Sequence, residues 1–96
     1  MAPDTVERLR QRGIETVESK THYLLTRGEC LALVERTAEG IGSIGATGMM
    51  TANGLGYLVW REGRAMIAAK GSLAAATPEQ AAAIRDFSDD VKSILA

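Results

Sequence analysis

The strongest constraint on this chain is a pair of glycine turns enclosing one short apolar run. Asn53-Gly54 and Glu62-Gly63 bracket residues 55–61, a length that suits a strand and is too short for an ordinary helix. Asn-Gly is favoured in tight hairpins because both residues tolerate a positive φ. Counting outward from Asn53-Gly54, Met50 faces Tyr57 and Met49 faces Leu58. Outward from Glu62-Gly63, Arg61 faces Arg64, Trp60 faces Ala65, Val59 faces Met66 and Leu58 faces Ile67. A three-strand meander is expected.

Residues 16–37 read as a further hairpin turning at Arg27-Gly28, with Thr26 facing Glu29 and Lys20 facing Glu35. Tyr23-Leu24-Leu25-Thr26-Arg27 and Tyr57-Leu58-Val59-Trp60-Arg61 echo each other, a likeness that strand-and-turn chemistry alone explains. A short N-terminal helix is expected, with Asp4 as its cap, Glu7 completing a capping box and Gly13 as its stop. The clearest helix spans 77–95, where Thr77 caps, Pro78 takes the first position and Gln80 closes a capping box. Its stripe of Ile84, Phe87, Val91, Ile94 and Leu95 must cover an apolar surface, and the sheet is the candidate.

The expected fold class is α+β in one domain, 1–96. It comprises a short N-terminal helix, about five antiparallel strands as hairpin plus three-strand meander, and a C-terminal helix packed on one sheet face. This order is similar to that of roadblock/longin-type small modules, which carry a second helix where this chain has the glycine-rich residues 38–48.

Composition narrows the function. Of the 96 residues 46% are hydrophobic, yet 15 are alanine, and Leu, Ile, Val and Phe number only 21, so the core is thin. Eleven basic and twelve acidic side chains give a net charge of −1, which argues against nucleic acid as the partner, including through Arg8, Arg10 and Arg12. No apolar run reaches the roughly 18 residues of a membrane span, and residues 1–13 hold no apolar segment suited to a signal peptide. A cytoplasmic location without membrane contact is expected.

Strand alternation sorts the meander onto two faces. Met49, Leu58, Trp60, Ala65, Ile67 and Ala69 share the face expected under the last helix. Met50, Tyr57, Val59 and Met66 form a band on the other, rimmed by Arg61, Arg64 and Lys70. A contiguous apolar band with a polar rim is the pattern of a contact surface, unless the first helix or segment 71–76 covers it. The candidate interaction surface is thus Met50, Tyr57, Val59, Arg61, Arg64 and Met66, facing a second copy in a homodimer or another protein.

Catalytic and ligand-binding patterns are weaker. Gly40-Ile41-Gly42-Ser43-Ile44-Gly45 matches the dinucleotide fingerprint, and Glu62 stands where an acid would reach a ribose. Yet Glu35 and Glu39 precede it, and Gly48, Asn53, Gly54 and Gly56 oppose the helix that should follow. A bulged or mobile connection is expected there. In a two-residue-loop hairpin His22 and Cys30 fall on opposite faces, so they form no dyad. One histidine and one cysteine do not make a zinc site, and Asp86, Asp89 and Asp90 lack a calcium loop. Ser19, Ser43, Ser72, Ser88 and Ser93 lie in no nucleophile elbow. No catalytic residue, cofactor or metal is expected. The chain reads as a non-catalytic module acting by self-association or protein–protein interaction. The alternative is a small-ligand binder or weak enzyme using the glycine-rich segment 40–48.

Overall fold

The computed structural model describes residues 1–95, and of residue 46 only the backbone. Its order is α1 (Pro3–Gln11), β1 (Glu15–Glu18), β2 (His22–Arg27), β3 (Cys30–Thr37), β4 (Gly40–Thr51), β5 (Gly54–Arg61), β6 (Arg64–Ala69), β7 (Ser72–Ala75) and α2 (Pro78–Leu95). The strands form one antiparallel meander in sequence order. The fold is α+β as expected, but the sheet has seven strands, not about five.

Both additional strands come from turns that the expected hairpin and meander do not include. Residues 16–37 hold two turns instead of one. Ser19 closes the first, its backbone N–H and its hydroxyl both donating to the carbonyl of His22, at 2.8 and 2.9 Å. Lys20 therefore lies in a turn, and Glu35 pairs with His22. At the other end Gly71, with a φ of 75°, turns the chain back into β7. Gly40–Thr51 is a strand, so the second helix of roadblock/longin-type modules has no counterpart there.

Two expected turns are displaced, each by two residues in register. Arg27 pairs with Cys30, so the β2–β3 loop is Gly28-Glu29. Thr51 pairs with Gly54, Met50 with Leu55 and Met49 with Gly56. The Thr51 hydroxyl sets this loop by donating to the Gly54 carbonyl and accepting from the Asn53 N–H, at 2.6 and 3.1 Å. An even shift leaves every side chain on its face. The β5–β6 register is as counted from sequence, with Glu62 and Gly63 both at positive φ, 54° and 77°.

β4 carries two bulges: residues 45 and 46 oppose Leu33, and residues 42 and 43 oppose Glu35. Bulges bend and twist a strand. β5 accordingly pairs with β4 only from Gly54 to Tyr57, after which the β5–β6 hairpin parts from the first half of β4.

Both helices lie on the same side of the sheet. Leu9 and Ile14 share one core with Tyr23, Leu25, Ala32, Val34, Met49 and Ile67, and with Ile84, Phe87, Val91 and Ile94 of α2. α1 starts with Pro3 after Ala2, and Asp4 makes no cap; Glu7 pairs with Arg10 instead. Its end is a Schellman motif: Gly13 donates to the Arg10 carbonyl and Ile14 to that of Leu9, both at 2.9 Å. That bond seats Ile14 beside Leu9 in the core. α2 opens with the expected reciprocal capping box between Thr77 and Gln80, at 2.9 and 3.1 Å. Asp90 ties the layers together, accepting from Arg27 at 2.7 Å and from Arg12 at 3.1 Å, while Arg27 stacks over Phe87. Asp90, set aside in the sequence as a calcium ligand, is thus a structural anchor.

Candidate functional site

The face turned away from both helices is the candidate site. Alternation along paired strands brings Met50, Tyr57, Val59, Arg61, Arg64 and Met66 to it together. Val59 lies directly opposite Met66 and Arg61 opposite Arg64, while Met50 sits diagonally from Tyr57 beside Leu55. α1 packs on the other side, and residues 72–75 extend the sheet as its edge strand, so neither covers the band.

The face is wider than those six residues. Val17, Leu24, Leu31, Leu33, Leu55 and Leu73 join it by the same registers. Met50 is 58% exposed, Val17 57% and Leu73 52%, values that core residues of such size do not reach. Every large side chain that is fully buried, from Leu9 to Val91, belongs to the helix side. Alternation in 22–35 carried the signal for Leu24, Leu31 and Leu33, and Lys70-Gly71 carried it for Leu73.

On the helix side Met49 and Ile67 are core residues, and Leu58 packs against them. Trp60 departs from expectation. It is 53% exposed, touched by Arg85 with its guanidinium 5.8 Å from the ring centre, because the β5–β6 hairpin leaves the part of the sheet that α2 covers.

Sheet sterics account for part of the glycine-rich segment. Gly40 to Gly45 form the first half of β4, with no helix N-terminus to receive a phosphate. At Gly48 a β-carbon would collide with the Gly56 carbonyl oxygen, so the close approach of β4 and β5 requires glycine. Where the two strands part, a groove of about 460 Å³ opens on the helix side, lined by Ile44, Thr47, Leu58, Arg85, Ser88 and Lys92 among others. On the open face the same parting leaves a smaller depression of about 330 Å³ between His22, Glu35, Ser43 and Tyr57.

His22 and Cys30 lie on opposite faces of the sheet. Burial pushes the Cys30 thiol up from its ordinary value, which opposes thiolate formation. Among the described residues no three His, Cys, Asp or Glu side chains converge as metal ligands, and no helix is long and apolar enough to cross a membrane. No protein-family model, curated protein or solved structure matches this chain.

Proposed function

We propose that this protein is a small, non-catalytic cytoplasmic module that works by self-association through its open sheet face. The observation that carries the reading is a single apolar surface running across all seven strands, with both helices on the other side. Seven strands at ~4.8 Å and about three rows of side chains at ~6.8 Å give a footprint on the order of 700 Å². A standard interface buries about 800 Å² per partner, so one copy of this face against another is large enough to hold. Closed twofold dimers use one patch against itself, as a self-complementary face requires. A lone free cysteine accords with a reducing compartment.

Met66 stands near the middle of the band, and Met66→Glu puts a charge there that a dimer would have to desolvate. The expected outcome is a wild-type dimer in sedimentation velocity and a monomeric variant with an unchanged circular dichroism spectrum. A wild-type chain that stays monomeric up to high micromolar concentration overturns the reading. A ligand-binding role for residues 40–48 would have to use the groove beside Thr47 and Arg85, and a rise in melting temperature with a metabolite would favour it.

A further inference from the structure

We propose that the twofold axis of the dimer runs along β4, so that the acidic half of each open face, β1–β3, lies over the basic half, β5–β7, of the second copy. The inference rests on the self-association reading above and adds its orientation. The ionised side chains at strand positions of this face are divided by sign. Glu15 and Glu35 stand on β1 and β3, Arg61 and Arg64 on β5 and β6. Glu29 and Lys70, in the adjoining turns, repeat the order; Lys20 and Glu62 depart from it only at turn tips. β4, the middle strand, has no charged residue along Gly40–Thr51.

Four ion pairs form among the described residues: Arg10–Glu7, Arg12–Asp90, Arg27–Asp90 and Arg36–Glu18. None of them uses Glu15, Glu29, Glu35, Arg61, Arg64 or Lys70. Arg61 lies directly opposite Arg64 on the neighbouring strand, an arrangement of like charges that destabilises a sheet unless an acid approaches. The isolated chain leaves that repulsion uncompensated, and the second copy's carboxylates offset it.

Two aligned sheets pack with strand directions within about 30°, which leaves an in-plane axis either along the strands or across them. An axis across the strands lays β1–β3 on β1–β3, carboxylates over carboxylates and guanidinium groups over guanidinium groups. An axis along β4 lays the acidic half over the basic half, with Glu35 level with the second copy's Arg61 and Glu15 towards its Lys70. It also makes β4 the strand whose residues meet their own copies, where any charge would repel itself, and β4 carries none. Complementary rims of this kind select orientation more than they add affinity.

Reversing charges half by half tests the orientation, since all four strand positions are exposed. Dissociation constants are measured by sedimentation equilibrium for the wild type and three variants, each checked for an unchanged circular dichroism spectrum. Arg61→Glu with Arg64→Glu, and separately Glu15→Lys with Glu35→Lys, are each expected to weaken the dimer at least tenfold. All four changes together are expected to bring it back to within about threefold of wild type. If either half-reversal leaves the affinity within about threefold, or the fourfold variant is no tighter than the half-reversals, the axis does not run along β4. That result leaves self-association standing, whereas a monomeric wild type overturns both.

Discussion

At Gly48 the carbonyl of Gly56 occupies the space a side chain would need, and two residues of the fingerprint-like stretch, Gly42 and Gly45, lie in the same bulged strand. Of the fingerprint glycines, Gly45 likewise faces a neighbouring strand's backbone, the Leu33 carbonyl, whereas Gly40 has open space around it and a positive φ of 121° at the turn into β4. Gly48→Ala is expected to destabilise the fold by about 1–3 kcal/mol, the usual cost of forcing an atom into a filled site. A shift of the denaturant midpoint checks it. A phosphate-binding loop would behave differently, losing ligand with little loss of stability. Glu62 shows the converse: it holds a φ of 54° without being glycine, because the type I′ turn it shares with Gly63 demands that conformation.

Among the elements, legibility followed turn chemistry. Glu62-Gly63 has the two-residue loop the sequence implied, so every pair from Arg61–Arg64 back to Leu58–Ile67 could be counted. The β1–β2 turn has neither glycine nor proline and is closed by the Ser19 side chain, which left two short strands looking like one long one. Side chains also displaced the Asn53-Gly54 loop by one residue, through Thr51. Faces survived this because the register moved by an even number, and so the six site residues could be grouped before their pairings were known. The glycine-rich stretch was expected to be bulged or mobile and is a strand with two bulges, but their places, and with them the exposure of Trp60, were not marked in the sequence. α2 was legible from both end and stripe, since the Thr77–Gln80 box and the apolar spacing agree. Thr77→Ala removes the acceptor for the Gln80 N–H and is expected to cost about 1 kcal/mol. For a domain of this size that lowers the melting temperature by roughly 4–8 °C in a monomeric background. An unchanged midpoint would mean that the box adds nothing to stability.

For the whole molecule, the lopsided distribution of apolar side chains has a thermodynamic consequence. Phe87, Leu9, Ile14, Leu25, Ile84, Val34 and Val91 are packed between the sheet and its two helices, and the opposite face keeps Val17, Met50 and Leu73 half exposed. A 96-residue chain already buries a modest share of its surface, so covering that face in the proposed dimer would stabilise the fold as well. In such a dimer dissociation would be linked to unfolding, and stability would depend on protein concentration. A tenfold rise in concentration adds about 1.4 kcal/mol per dimer. Unfolding two chains of 96 residues carries an entropy of about 0.4 kcal/mol per kelvin, at roughly 2.1 cal/mol/K per residue. The melting temperature of the wild type is therefore expected to climb by about 3.5 °C for each tenfold increase in concentration. Met66→Glu should abolish the slope and melt at one temperature throughout. Calorimetry over two decades of concentration measures both, and a flat wild-type profile at concentrations where sedimentation finds a dimer would mean that the dimer comes apart below the melting temperature and adds nothing to it.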